Sequence, residues 1–272
     1  INPLRGINNQ ITSYAKLKQL EIDELKRLEE FRRDFLQDVS HELKTPIFSA
    51  QGFIHTLIDG AIEDERVRSK FLRKAAKSLD YLDLLVRDLL TISQMESGEI
   101  RMKKETFCIN ELINETIEQL EPRASKNKIS LINKNLNGSG KILVVADYYR
   151  IYQVLKNLVT NAIKYSDPYT SVTVYIKKRK KVATIHVEDQ GKGIAKNHRK
   201  RVFERFYRIE KSRSKERGGT GLGLAISKHI IEGHKTKIKL KSKVNFGSTF
   251  SFNLKLLPKK IKKRQKIAQT LN

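Results

Sequence analysis

Cysteine is nearly absent from this sequence: Cys108 stands alone among 272 residues. A single thiol excludes an internal disulfide and a Cys-rich metal site, and it fits a reducing, cytosolic compartment. Long apolar runs are missing too. No stretch reaches the roughly 18 apolar residues of a membrane helix and no leader peptide is visible, so nothing in the chain is expected to span a bilayer. The chain starts on Ile1 rather than Met, so it is expected to be the cytoplasmic piece of a longer inner-membrane protein whose membrane segments lie outside it. Acidic residues are the third scarcity: 30 Asp and Glu stand against 55 Lys and Arg, a formal net charge of +25. Such an excess suits nucleic acid, anionic lipid or acidic protein partners. The basic runs Lys177 to Lys181, Lys196 to Arg201, Arg205 to Arg217, Lys235 to Lys243 and Lys259 to Lys266 lack the interleaved aromatics on which bases stack, so nucleic-acid binding is not expected. A nearby anionic membrane or an acidic partner face accounts for the charge better. Hydrophobic residues make up 39%, which suits modest cores rather than one large one.

What is present is organised by periodicity. Leu17, Leu20, Leu25, Leu28, Phe31 and Phe35 mark one face of a helix, read as a coiled-coil-like lead-in over 1–29. Phe31, Phe35, Val39 and Leu43 carry the stripe to Pro46, where a missing donor predicts a bend. The pattern resumes at Ala50, Phe53, Ile54, Leu57 and Ile58 and breaks near Asp59-Gly60. A second helix is expected through Phe71, Ala75, Leu79, Leu82, Val86, Leu89 and Ile92, closing a unit over 30–98. One hairpin cannot cover its own stripe, which predicts a homodimer with a four-helix bundle.

A linker is placed at 99–106 and a second domain at 107–257, before a basic tail at 258–272. Helices are expected over Ile109 to Leu120, Tyr148 to Tyr165 and Leu222 to Ile231. Strands are expected near Ile129 to Asn133, Ile142 to Val145, Val172 to Ile176, Val182 to Val187, Ile238 to Leu240 and Thr249 to Leu254. Their order is not a strict alternation, so the expected fold is an α/β sandwich, a mixed sheet with helices on one face.

Several short stretches carry chemistry. His41 lies about 200° around the axis from Val39, so it points away from the apolar stripe, with Glu42 beside it and Thr45 one turn on. A solvent-facing imidazole next to a carboxylate can serve as a nucleophile, although a surface histidine is the plain alternative. On the helix from Gln153 to Tyr165, the residues Asn157, Asn161, Lys164 and Tyr165 fall together opposite Val154, Leu155, Leu158 and Ala162. Amide oxygens one turn apart can bind a hard cation and Lys164 can meet phosphate; a polar helix surface would read the same way. Asp189-Gln190-Gly191-Lys192-Gly193-Ile194 follows a strand, so its acid can accept from an amine, or it is a simple turn. Gly218 to Leu224 opens a helix, where backbone N–H groups cradle phosphate, but it is neither a Walker loop nor a dinucleotide fingerprint. Val202 to Arg208 is an aromatic anchor with Arg205 and Arg208, and the charged stretch Glu210 to Arg217 after it is expected to be a mobile lid. Phe246 to Phe250 reads as a hairpin turn.

Together these stretches resemble the cytoplasmic part of a sensor histidine kinase of a two-component system. His41 to Pro46 resembles its H box, Asn157 to Tyr165 its N box, Asp189 to Ile194, Gly219 to Leu224 and Gly247 to Phe250 its G boxes, and Phe203 to Arg208 its F box. The similarity covers about residues 30 to 256 in the family's order. Lys44 and Phe48 depart from the usual choices without touching the chemistry. The resemblance implies an ATP-binding fold shared with gyrase, MutL and heat-shock chaperones. Asp189 would meet the adenine amino group, with Gly191, Gly193 and Ile194 around it and Thr249 nearby. Asn157 and Asn161 would hold Mg²⁺, Lys164, Tyr165 and Arg208 would contact ribose or phosphates, and Thr220, Gly221, Leu222 and Gly223 would wrap the phosphates. His41 would accept the γ-phosphoryl group with Glu42 as base and pass it to a response regulator receiver domain. Thr45 would orient water for dephosphorylating that regulator. A gyrase-like ATPase is the rival, but Gln153, a turn before Asn157, cannot act as its base.

Overall fold

The computed structural model describes residues 3–97, 102–135, 140–209 and 219–258, with the backbone alone over 3–11. The expected lid over Glu210 to Arg217 and the basic tail after Pro258 lie outside the described residues. The chain divides into two compact units, Ile1–Asp83 and Leu84–Asn272.

The first unit is built on helix α1 (Pro3–Thr56) and the start of helix α2 (Glu65–Glu96). Helix α1 begins at Pro3 rather than near Leu17 and runs unbroken through a buried Pro46. A π-turn, Leu57–Ala61, ends it as expected: Gly60 adopts φ +111°, which a residue with a Cβ rarely reaches. Asp64 then caps α2, its Oδ1 accepting from Arg66 N at 2.9 Å and Val67 N at 3.3 Å. Phe53 meets Phe71 at 5.6 Å between ring centroids and Glu42 meets Tyr81, so one number rises as the other falls and the hairpin is antiparallel. Few of its apolar side chains are covered. Leu20, Leu25, Leu28, Phe31 and Leu79 remain exposed, Phe31 at 56%.

The second unit holds a mixed sheet of β1 (Glu105–Cys108), β2 (Ser130–Asn133), β3 (Leu143–Ala146), β4 (Ser171–Arg179), β5 (Val182–Asp189), β6 (Lys239–Lys243) and β7 (Gly247–Leu256). The order is β1-β3-β7-β5-β4-β2, with β6 also paired to β7. Only β2 and β4 run parallel among these pairs. Helices α3 (Ile109–Lys126), α4 (Tyr148–Tyr165) and α5 (Gly223–Gly233) cover one face. Along β5 and β7 burial alternates, so Ala183, Ile185, Val187, Phe250, Phe252 and Leu254 point into the core beneath Leu155, Leu158 and Ile226. The expected strands and helices are all present, with ends shifted by a few residues.

The entry to this domain is fastened. Lys103 N donates to Asp147 Oδ2 at 2.9 Å, Asp147 Oδ1 caps α4 by accepting from Arg150 N at 3.1 Å, and Asp147 N donates to His234 Nε2 at 3.0 Å. Since Nε2 accepts from Asp147 N, the ring proton sits on Nδ1, which donates to the Ile230 carbonyl at 2.8 Å; burial holds His234 below the ordinary imidazole range. Met102 packs where Gly233 leaves room; a Cβ there would sit 2.5 Å from Met102 Cε.

Candidate functional site

In the first unit His41 is exposed on α1, as its angular position predicts. Thr45 Oγ1 donates to the His41 carbonyl at 3.2 Å, a helical back-bond that anchors Thr45 on the same side. Glu42 is half-buried, and its Oε2 accepts from the Tyr81 hydroxyl at 3.0 Å. Adjacency in sequence puts Glu42 beside His41; Tyr81, which reaches Glu42 from the other helix, carries no such local signal.

In the second unit α4 organises the rest, because its buried stripe of Val154, Leu155, Leu158 and Ala162 turns the opposite polar side toward the glycine-rich turns. Asn157 Nδ2 donates to the Gly223 carbonyl at 3.1 Å and approaches Ser227 Oγ at 3.5 Å, so the amide group is locked against the first turn of α5. A Cβ on Gly219 would lie 3.1 Å from Lys164 Nζ, and one on Gly191 only 2.2 Å from the Tyr165 carbonyl. Both glycine stretches therefore converge on α4. Asn161, one turn after Asn157, is half-buried, and Tyr165 is exposed with Lys164 Nζ 5.1 Å from its ring centre.

Asp189 ends β5 and is 7% exposed. Its Oδ1 accepts from Gly191 N at 3.0 Å and Ser248 N at 3.1 Å. Burial pushes its carboxyl above the ordinary range, against the opposing pull of those two N–H groups. Two donors on one oxygen fix the carboxylate plane and leave Oδ2 free of any bond among the described residues. Gly191 and Gly193, expected to let a flat ligand approach, have a nearer cause. The protein's own backbone crowds both, for a Cβ on Gly193 would lie 2.0 Å from the Lys243 carbonyl. Ile194 N donates to Ser242 Oγ at 2.7 Å, which ties this turn to β6.

Thr249 is placed differently from the expectation. Strand alternation turns it to the sheet face opposite Asp189's partners, level with Glu188 and Lys241. Ser248, buried and bonded through its N–H to Asp189, is the β7 residue at that carboxylate. The period of two, counted from buried Phe250 and Phe252, would have identified it.

Thr220 is 4% exposed; its Oγ1 accepts from Leu222 N at 3.2 Å and donates to Asp88 Oδ2 at 2.6 Å. Burial raises Asp88 above the ordinary carboxylate range, with the Thr220 bond opposing. Gly221 takes φ +77° with Phe206 against it, and the turn leads through Leu222 into Gly223. Arg205 pairs with Glu96, and Arg208 is half-buried two residues after Phe206. Asp88 and Glu96 lie in a helix read from sequence as an apolar stripe alone, so neither was a candidate.

Among the described residues no group of three His, Cys, Asp or Glu could hold a metal ion. Asn157 spends its nitrogen on Gly223, which leaves its amide oxygen as an open acceptor. Neutral oxygens on Asn157 and Asn161 fit a hard cation whose other ligands are phosphate oxygens and water.

The mixed sheet, the asparagine-bearing helix and the glycine-rich helix start define an ATPase-type nucleotide-binding domain. Its family model, "Histidine kinase-, DNA gyrase B-, and HSP90-like ATPase", matches residues 146–258, and "His Kinase A (phospho-acceptor) domain" matches residues 31–98. The chain is 35% identical over 232 residues to the sensor-like histidine kinase SenX3 of Mycolicibacterium smegmatis, covering 85% of this chain and 59% of that protein. It resembles the solved histidine kinase AdeS of Acinetobacter baumannii, with a TM-score of 0.64, 28% identity, and coverage of 80% of this chain and 98% of that one. It also resembles histidine kinase ThkA, solved in complex with response regulator protein TrrA, with a TM-score of 0.67, 25% identity, and coverage of 84% and 62%. The chain thus carries the phospho-acceptor and ATPase-type domains of the histidine kinases. It spans little more than half the length of the curated relative above, 59%.

Proposed function

We propose that this chain autophosphorylates His41 from Mg-ATP and passes the phosphoryl group to an aspartate of a response regulator receiver domain. The supporting observation is the bond from Asn157 Nδ2 to the Gly223 carbonyl. It aims a free amide oxygen at the same turn whose backbone N–H groups open α5. In this reading Asp189 Oδ2 accepts from the adenine amino group, with Gly191, Gly193, Ile194 and Ser248 shaping the adenine end. Lys164, Tyr165 and Arg208 contact ribose or phosphates, and Thr220, Gly221, Leu222 and Gly223 line the phosphates. Asn157 and Asn161 would hold Mg²⁺, which supplies charge neutralisation between the phosphates.

A ring nitrogen of His41 attacks the γ-phosphorus in line. A P–N bond forms, the bond to the bridging oxygen breaks, and ADP leaves with that electron pair. The imidazole proton passes to Glu42, which Tyr81 holds in place. Thr45, anchored on the His41 side, is suited to orient water for dephosphorylating the regulator. An ATPase of the gyrase kind is less well supported, because Gln153 Oε1 accepts from Arg150 Nη1 at 3.3 Å and is no base.

The exposed apolar residues of α1 and α2 support a homodimer built through a four-helix bundle. The division proposed is a lead-in at 1–29, a dimerisation and phosphotransfer domain at 30–98, a linker at 99–106, a catalytic domain at 107–257 and a tail at 258–272. No helix among the described residues is long and apolar enough to cross a membrane; the chain is proposed to be the cytoplasmic portion of an inner-membrane sensor. The test is incubation with γ-labelled ATP and Mg²⁺, wild type beside His41→Gln. Acid-labile, base-stable label that disappears in the variant is expected; label that persists in His41→Gln overturns the reading.

A further inference from the structure

The sheet of the second unit has a face that no helix among the described residues covers, and its charge is one-sided. Strand register puts Lys239, Ser251, His186 and Tyr175 in one row across β6, β7, β5 and β4, and Lys241, Thr249, Glu188 and Thr173 in the next. Asn253, Thr184 and Lys177 form a third row, and Lys255, Val182 and Arg179 a fourth. Lys243 extends the β6 column. Lys177, Arg179, Lys239, Lys241, Lys243 and Lys255 are all exposed and enter no ion pair among the described residues. Glu188 is the one acid in these rows, and it lies beside the Tyr175 hydroxyl. Burial first, then the Lys177 charge, holds His186 below the ordinary imidazole range, with Glu188 pulling the other way and Lys241 adding to the shift.

Lysines along β6 alone would be ordinary protection of an edge strand against pairing with another chain. Lys255 has no such role, because β7 is paired there to both β3 and β5; Lys177 and Arg179 lie on β4 beyond its pairing with β2, which ends at Val174, and carry the charge on across the face. The side chains also indicate what they suit. Five of the six cations are lysines, flexible and strongly hydrated point charges, where a site for a particular phosphate would use the arginine fork. The aromatic pair is already occupied: Tyr175 and His186 stack with centroids 4.6 Å apart and planes 6° apart, and Lys177 Nζ sits 5.4 Å from the Tyr175 ring centre. No ring in these rows is left open to stack on a base.

From this we infer that the uncovered β4-β5-β7-β6 face is a docking surface for an anionic lipid bilayer, held by diffuse electrostatic attraction. A flat, lysine-studded face fits a plane of lipid headgroups, and each lysine brought to such a surface contributes about five-fold in partitioning. The face is separate from the nucleotide-binding residues, which lie on the helix side of the same sheet.

The experiment is co-sedimentation of the full chain with vesicles of phosphatidylcholine alone or containing about one third phosphatidylglycerol. It compares wild type, Lys177→Gln/Lys239→Gln/Lys255→Gln, a same-charge control on the helix side and loops, Lys126→Gln/Lys200→Gln/Lys228→Gln, and a variant with the tail lysines replaced. Expected are binding to the anionic vesicles only, weakening as salt is raised, and a roughly hundred-fold loss in the first triple variant with near wild-type binding in the control. ATP binding measured on each variant confirms that the fold is kept. No pelleting, equal losses in the two triple variants, a loss confined to the tail variant, or tighter binding to duplex DNA than to the anionic vesicles would each overturn the inference.

Discussion

Tyr81 donates its hydroxyl hydrogen to Glu42 Oε2 across 3.0 Å, so the carboxylate beside the candidate phospho-acceptor is held from the second helix of the hairpin. The orientation of Glu42 thereby depends on the register between α1 and α2, as set by Phe53 on Phe71 and by the turn at Gly60. A base positioned in this way responds to any shift of one helix along the other.

Replacing Tyr81 by Phe removes that bond without changing the bulk of the ring. Autophosphorylation should slow by about three- to ten-fold with ATP affinity unchanged, whereas Glu42→Gln should slow it by about a hundred-fold or more. Initial rates at saturating ATP, beside nucleotide affinity by calorimetry, separate the two effects.

Asp189 should show opposite effects on stability and binding. Its folded-state pKa is raised, so the ionised carboxylate is a burden above that pKa, and the burden is relieved as the pH falls through it. Asp189→Asn should therefore leave the unliganded protein as stable or more stable at neutral pH, while ATP affinity falls by about ten-fold or more. In the proposed role of ionised Asp189 as acceptor for the adenine amine, wild-type affinity should begin to fall on acidification at a higher pH than an ordinary carboxylate would dictate. Thermal melts and nucleotide titrations across the acidic range check both halves.

Asn157→Ala should weaken Mg-ATP binding by about ten-fold or more and cost about 1 kcal/mol of stability through the lost Gly223 bond. Asn157→Asp keeps an oxygen toward the cation but puts an acceptor against the Gly223 carbonyl, so it should destabilise the free protein as well. Melting curves with and without Mg-ATP distinguish the two variants.

Thr220 gives its hydroxyl hydrogen to Asp88 at 2.6 Å, and a phosphate would have to compete for it. Asp88→Ala should tighten nucleotide binding by up to about ten-fold, the worth of one charge-assisted hydrogen bond. Equilibrium titration with a non-hydrolysable ATP analogue measures it. An affinity that is unchanged or weaker would show that the bond does not hold the turn away from ligand.

Replacing Thr45 by Ala should reduce dephosphorylation of a phosphorylated regulator and leave His41 labelling largely intact, since among the described residues the Thr45 hydroxyl bonds to the His41 carbonyl and not to its ring. The readout is loss of label from the regulator in the presence of ADP.

Local regularities were enough for much of this protein. The four-residue recurrence of Phe31, Phe35, Val39 and Leu43 determined that His41 faces solvent, because an α-helix advances about 100° per residue whatever surrounds it. The same rule set the polar side of α4, and the glycine-rich turns could be located from composition. Tertiary structure alone decided the partners: Tyr81 on Glu42, Ser248 rather than Thr249 at Asp189, Asp88 on Thr220 and His234 on Asp147. These join residues up to 132 positions apart, and such contacts depend on strand register and helix packing that no local window of sequence contains. The sheet face with its six cations has the same origin, since pairing between distant strands is what gathers scattered lysines into one surface.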